Sequence, residues 1–197
     1  MDSKFNQERR NLLKTSCVLA GATAVVTIGG SLPAFADGQK NVPQVGDVFV
    51  YNDGPKKGTV ATVDDVVLDA KPILVAAKDP NGAVREPENC LALLYRVDKA
   101  KLPADMAGDT IDGVVAFSAI CTHQGCTMTE FHKADDLVAF SGFICPCHDA
   151  IFDPLQDGKN VAGATCATLA YFPIKSDGGK ITVSGEPSAQ VGIIKGR

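Results

Sequence analysis

CTHQGC, residues Cys121–Cys126, is the most informative stretch of this 197-residue sequence, and CPCH follows it at Cys145–His148. Each stretch contributes two thiols and one imidazole from a short loop. Thiolate and imidazole ligands suit either zinc or an iron–sulfur centre. A single tetrahedral zinc ion would leave Cys126 and Cys147 without a role, whereas an iron–sulfur centre gives a role to both.

Length and composition limit the classes of protein to consider. With 197 residues and 45% apolar content, the chain can bury one core, which favours a single compact domain. The formal charge is -4, and no cluster of Lys or Arg occurs beyond the first fourteen residues. We therefore expect no nucleic-acid partner.

The N-terminal residues 1–36 are similar to a twin-arginine export signal. Arg9 and Arg10 precede an uncharged stretch, 15–36, which ends in the small-x-small site Ala34-Phe35-Ala36. The stretch is long enough to span a bilayer if it is retained, but its glycines and the small-residue site favour cleavage. We expect a periplasmic protein that crosses the membrane folded. Membrane anchoring facing the periplasm is the alternative, and membrane contact is expected only if the signal is retained.

The rest of the chain is predicted to be all-β. Short apolar or alternating runs recur between turn sequences, and antiparallel sheets packed face to face are the simplest arrangement for them. The predicted strands are 48–51, 58–63, 66–68, 73–77, 90–97, 113–120, 137–145, 168–175 and 180–185.

The complete pattern, Cys-Thr-His-x-Gly-Cys followed by Cys-Pro-Cys-His, resembles that of the Rieske [2Fe–2S] proteins. The resemblance implies that one iron is held by two cysteines and the other by two histidines, and that the remaining two cysteines form a disulfide between the loops. The implied cluster ligands are Cys121, Cys145, His123 and His148, and the implied disulfide pair is Cys126 and Cys147.

The resemblance also implies the arrangement of the fold. A Rieske domain, expected here at 37–197, is an antiparallel β-sandwich with an inserted smaller cluster-binding subdomain, expected at about 119–153. Gly125 would permit the tight turn within the first motif.

The function implied is electron transfer. Imidazoles in place of two thiolates make the cluster less negative, which raises its reduction potential above that of an all-cysteine centre. The chain has three histidines, and two belong to the motifs. His132 alone cannot build the mononuclear iron site of an oxygenase, and no histidine is left for a catalytic triad. We therefore expect an electron-transfer subunit without its own active site, and His132 as an exposed loop residue.

The residues around the motifs indicate the partner. Rieske subunits of cytochrome bc complexes usually carry Ser and Tyr after the second motif and an apolar residue between His and Gly of the first; here these positions are Ala150, Phe152 and Gln124. These departures, with a downstream GATCATL segment, resemble the small subunit of arsenite oxidase. That resemblance implies a large molybdopterin catalytic subunit as donor and a soluble cytochrome c or copper protein as acceptor. A bc-type quinol-oxidising complex is the alternative. Gln124 and Pro146 are expected on the docking surface.

Apart from Cys17 in the predicted export signal, the cysteines outside the motifs are Cys90 and Cys166, and they have two possible roles. They could form a second disulfide, or they could be buried thiols that behave as small apolar residues. Their apparent strand contexts favour burial.

Overall fold

The computed structural model describes residues 41–135 and 140–194, so the predicted export signal at 1–36 lies outside the described residues. The described part is built from ten short strands, one helical turn and four 3-10 turns. The strands are β1 (Val48–Tyr51), β2 (Ile73–Lys78), β3 (Leu91–Arg96), β4 (Val114–Ser118), β5 (Glu130–His132), β6 (Gly142–Cys145), β7 (Ala150–Asp153), β8 (Lys159–Ala162), β9 (Ile174–Asp177) and β10 (Lys180–Val183). The helix is α1 (Pro87–Cys90), and the 3-10 turns are Val63–Asp65, Lys99–Lys101, Ala107–Asp109 and Pro154–Gln156. In this part of the chain no helix is both long enough and apolar enough to cross a membrane.

The larger sheet has six antiparallel strands in the order β4-β3-β2-β1-β10-β9. All five residues of β4 are buried, as are five of the six in β3, so these strands lie in the core. Phe49 of β1 and Phe172 are fully buried and their rings pack 6.3 Å apart. The predicted all-β antiparallel class is confirmed.

The smaller sheet has four antiparallel strands, β5-β6-β7-β8, inserted between β4 and β9 of the larger sheet. An aromatic cluster joins the two sheets. Tyr95 of β3 packs 5.1 Å from Phe131 and 5.8 Å from Phe143, and Phe117 of β4 packs 5.5 Å from Phe143. Such pairs each add about 0.5–1.5 kcal/mol beyond the burial of their surface, so the cluster fixes the inserted sheet against the larger one.

The insertion begins and ends at two paired backbone segments, 116–118 and 170–172, which we call the neck. The Ser118 N–H donates to the Ala170 carbonyl (2.8 Å), and the Phe172 N–H donates to the Ala116 carbonyl (2.8 Å). The chain segments that enter and leave the insertion are therefore hydrogen-bonded neighbours.

Two predicted strands, 58–63 and 66–68, are not strands. This region makes only isolated bridges and contains the 3-10 turn Val63–Asp65. The Asp65 carboxylate accepts hydrogen bonds from the Thr62 N–H (2.9 Å) and hydroxyl (2.7 Å), which closes the turn at this point. Local side-chain bonding of this kind competes with sheet formation.

Candidate metal centre

The first cysteine loop leaves the end of β4 and turns back at once. The Gly125 N–H donates to the Cys121 carbonyl (3.0 Å), and the Cys121 N–H donates to the Cys126 carbonyl (2.9 Å). Gly125 has φ +73°, a backbone conformation that glycine adopts without strain. The expected tight turn is therefore present.

The second cysteine loop is the turn between β6 and β7. Cys145 ends β6 and pairs directly with Ala150, which begins β7. The four residues between them are exposed, and they include Pro146 and His148. Asp149 closes the turn with φ +53°. The sheet thus holds Cys145 in place while it presents His148 at the surface.

The two loops bring the motif residues together. Cys121 and Cys145 are each 1% exposed, and the Cys145 sulfur lies within 4.8 Å of both the Cys126 and Cys147 sulfurs. The imidazoles of His123 and His148 stand 4.7 Å apart between ring centroids, at 87° to each other. Residues from two separate loops therefore form one compact cluster of thiols and imidazoles.

Cys126 and Cys147 form a disulfide with a Cα–Cα distance of 6.6 Å. This is the pairing that the resemblance implied. The bond joins the two loops directly beside the thiols and the imidazoles, so it fixes the position of one loop relative to the other.

The thiols of Cys121 and Cys145 are in contact, and their surroundings disfavour charge. Burial, with a smaller contribution from hydrogen bonding to Cys145, raises the pKa of the Cys121 thiol to about 11 despite the lowering effect of the His123 and Gln124 N–H groups. Two adjacent buried thiolates need a cationic partner to be stable, and metal binding supplies one while it releases the protons.

The His123 Nδ1 atom is buried and has no hydrogen-bond partner among the described residues. A buried polar atom without a partner carries a desolvation cost that a ligand can remove. Two buried thiols, an unpartnered imidazole nitrogen and an adjacent second imidazole suit an iron–sulfur centre with mixed ligands. The residues present therefore fit the cofactor that the sequence predicts.

Comparison with known proteins agrees with this geometry. Residues 93–173 match the sequence profile described as "Rieske [2Fe-2S] domain". This segment is a Rieske domain. A Rieske domain binds a [2Fe–2S] cluster, so the predicted cofactor is confirmed.

Several curated proteins are similar to the chain. The cytochrome b6-f complex iron-sulfur subunit of Chlorobaculum tepidum is 32% identical over 119 residues, which is 60% of each protein. The putative respiratory nitrate reductase subunit Rieske of Haloferax mediterranei is 25% identical over 196 residues, covering 97% of this chain and 83% of the relative. The cytochrome bc1 complex Rieske iron-sulfur subunit of Corynebacterium diphtheriae is 37% identical over 62 residues, covering 32% of this chain and 14% of that relative. All three relatives are named as iron–sulfur or Rieske subunits of larger enzymes.

The structure adds a third segment to the site, 163–167, which the sequence analysis used only as a family resemblance and did not place beside the cysteine loops. Thr122 lies between Cys121 and His123, and its hydroxyl donates to the Ala167 carbonyl (3.3 Å) and contacts the Thr165 hydroxyl (3.3 Å). At Gly163 an added Cβ would clash with the Cα atom of Ala150. The segment therefore contacts both cysteine loops. In the sequence, Gly163 of the GATCATL stretch was the residue that could have indicated this close approach.

The residues predicted around the cluster divide into two groups. Gln124 and Pro146 are exposed, whereas Ala150 and Phe152 are fully buried on β7. Ala150 and Phe152 lie on the same face of the inserted sheet as Cys145, because they pair with Cys145 and Phe143 in the register of β6 and β7.

Three other predictions are resolved by the structure. Cys90 is a buried free thiol that donates to the Arg85 carbonyl (3.1 Å), so the Cys90–Cys166 bridge is not formed. Cys166 is exposed in an irregular segment, contrary to the expectation of a buried strand. His132 lies half-buried on β5 with its Nε2 atom buried, and the expectation of an exposed loop was wrong.

Proposed function

We propose that this chain is an exported Rieske electron-transfer subunit that serves a separate molybdopterin oxidase subunit of the arsenite oxidase type. A soluble cytochrome c or copper protein would accept the electrons. The observation that carries the proposal is the pair Ala150 and Phe152, which lie buried beside Cys145 and offer no hydroxyl to its sulfur. Without those donors the added electron is less stabilised, so we expect a potential below the top of the Rieske range.

The ligands follow from the geometry of the two loops. Cys121 and Cys145 would hold the buried iron, and His123 and His148 the iron nearer the surface, which together store and release one electron. The two cysteine side chains exclude water from the inner side of the centre, because both are almost fully buried. His148 is exposed, so its imidazole edge provides the shortest route to a partner.

The polar tip supports a partner other than a quinol-oxidising complex. Gln124 is exposed between His123 and Gly125, where an apolar residue is usual in bc-type subunits. A polar side chain favours contact with a polar protein surface over contact with an apolar quinol-binding pocket. The Haloferax mediterranei relative carries a name that assigns it to an enzyme other than a cytochrome complex, which supports the idea that such subunits serve several oxidoreductases.

A bc-type subunit is the second candidate. It is favoured by the 32% identity to the cytochrome b6-f complex iron-sulfur subunit over 60% of both proteins. In that case the exposed edge of His148 would face quinol, and the export signal would be retained as a membrane anchor rather than cleaved.

Identification of the co-purifying partner tests the two candidates. Both termini are poor places for a tag, because the N-terminus is expected to be removed and Ile194 contacts the first cysteine loop. The exposed turn at Gly178 and Gly179 has open space around it and is a better place for an epitope. Protein isolated from periplasm and from membranes would then be assayed for molybdenum and haem.

The two outcomes are distinct. Molybdenum with a large soluble partner in the periplasmic fraction supports the proposal. Haem b and c in the membrane fraction, with no molybdenum, would replace it by the bc-type assignment. In that case Ala150, Phe152 and Gln124 would not distinguish the two kinds of partner.

A further inference from the structure

The surface around the two imidazoles includes the C-terminal segment as well as the cysteine loops. The Ile194 N–H donates to the Thr122 carbonyl (3.3 Å), and the Gln190 side-chain amide donates to the Ile193 carbonyl (2.7 Å). The Ile193 side chain lies against Gly125 and remains 44% exposed. We call the exposed set around the imidazoles the tip surface; its members are Gln124, Pro146, His148, Asp149 and Ile193.

Asp149 supplies the charge of the tip surface. Within 121–126, 145–150 and 190–194 it is the only Asp, Glu, Lys or Arg. It is exposed, and its carboxylate has no ion-pair or hydrogen-bond partner within residues 41–135 and 140–194. A full negative charge is therefore available to a partner directly beside His148.

The backbone conformation of Asp149 limits the residues that its position accepts. Its φ of +53° lies in the left-handed region, which glycine adopts most easily and which Asp and Asn tolerate better than other residues. The turn itself needs no carboxylate, because a neutral Asn or Gly satisfies the same backbone geometry.

We propose that the tip surface docks an electron-transfer protein whose contact face is cationic around an apolar centre. A lysine or arginine of the partner would face Asp149, and its apolar centre would pack on Ile193 and Pro146. The inference rests on the proposed function, because it names the chemistry of the partner that meets His148. The chain is acidic overall, so distant charges attract any cation, but a charge beside the electron-transfer route also selects the productive orientation.

The structure offers a matched control for Asp149. Asp112 is also exposed and also has positive φ, +47°, but it precedes β4 at the end opposite to Cys121. Asp149→Asn and Asp112→Asn change the net charge equally, and each introduces an asparagine that tolerates the same positive φ. Any difference between them therefore reports the position of the charge and not its amount.

The experiment measures oxidation of the reduced, cluster-loaded protein by stopped flow. One electron passes to the ferric haem of a basic c-type cytochrome, or to the anionic oxidant ferricyanide. At about 50 mM ionic strength we expect Asp149→Asn to slow the cytochrome reaction roughly 3-fold and to accelerate the ferricyanide reaction. Asp112→Asn should change either rate less than about 1.3-fold, and at 0.5 M salt all variants should converge.

Opposite changes with the two oxidants separate docking from damage, because a misfolded tip would slow both. If Asp149→Asn loads cluster poorly, Asp149→Gly is the second neutral variant, and it should give the same pair of changes. Equal effects of the Asp149 and Asp112 variants, or unchanged rates with both oxidants, would overturn the inference. A protein that carries no cluster, or that reduces neither oxidant, would instead overturn the proposed function.

Discussion

Restoring the two missing hydroxyls should raise the reduction potential of the cluster. In the double variant that combines Ala150→Ser with Phe152→Tyr, the serine would lie directly opposite Cys145, because residue 150 pairs with Cys145 across the two strands. Cβ atoms of such pairs are about 4.5–5.5 Å apart, and diagonal neighbours about 7–8 Å, a distance that a tyrosine ring spans. Both hydroxyls can therefore reach the Cys145 sulfur.

The size of the effect follows from burial. Ala150 and Phe152 are 0% exposed, so water supplies no competing hydrogen bond at either position. A hydrogen bond to an ionised group contributes about 1.5–3 kcal/mol. We take about half of this free energy as the difference in hydrogen-bond strength between the reduced and the oxidised cluster. Since about 1.36 kcal/mol corresponds to about 59 mV for one electron, each hydroxyl should raise the reduction potential by roughly 30–65 mV. The double variant should therefore gain about 60–130 mV.

A redox titration followed by electron paramagnetic resonance measures this gain. Phe152→Leu is the control, because it disturbs the same packing without adding a donor, and its potential should stay within about 20 mV of the parent. A double variant with an unchanged or lower potential would refute the reasoning that links these two side chains to the potential. It would also remove the main support for the proposed partner.

Three further predictions concern stability and assembly. Replacing Cys126 and Cys147 by alanine should lower the free energy of unfolding in urea by about 3 kcal/mol, because the bridge spans a sequence separation of 21; an unchanged midpoint would contradict this. Hydrogen bonding to a lysine ammonium lowers the pKa of Asp65 to about 2, so its contribution to stability is complete above pH 4 and is lost as pH falls towards 2. Acid titration of an Asp65→Asn variant should show a shallower loss in that window, and a curve parallel to the parent's would count against the ion pair. Gly163→Ala should destabilise the domain by more than about 2 kcal/mol and reduce bound iron, because its Cβ would clash with the second cysteine loop. Gly178→Ala, which has open space, should cost only about 1 kcal/mol with full iron content, and equal iron loss in both variants would argue against the clash.

The parts of the structure that the sequence predicted are local in the chain. The cysteine motifs each lie within one loop, so the family resemblance that carries their chemistry can be recognised in the sequence. The nearly continuous apolar runs of β3 and β4 likewise indicate buried strands. The segments on either side of Asp65, 58–63 and 66–68, were wrongly predicted to be strands, because their apolar residues have a strand-like composition, while the Asp65 carboxylate accepts a hydrogen bond from the Thr62 backbone N–H. Local side-chain bonding decided that region, and hydrophobic pattern did not.

The parts that could not be predicted depend on contacts between distant residues. Val48 of β1 pairs with Thr182 of β10, and Ile194 binds the carbonyl of Thr122. No periodicity encodes which strand is the neighbour of which, because the strands of the sheet present similar apolar faces and any of them could pair with several others. Cys166 shows the same limit, since its apolar surroundings in the sequence resemble a strand, and only its tertiary placement makes it exposed.

The neck has a consequence for how this domain can change. Because Ser118 and Ala170 are hydrogen-bonded neighbours, the inserted sheet starts and finishes one strand spacing apart. A segment with adjacent ends can be lengthened, shortened or exchanged at little entropic cost to the scaffold that carries it. The sequence of the inserted, metal-binding segment can thus change while the larger sheet stays the same. Grafting the 119–169 segment of another such chain onto this sheet should transfer redox behaviour while leaving the core of the recipient intact.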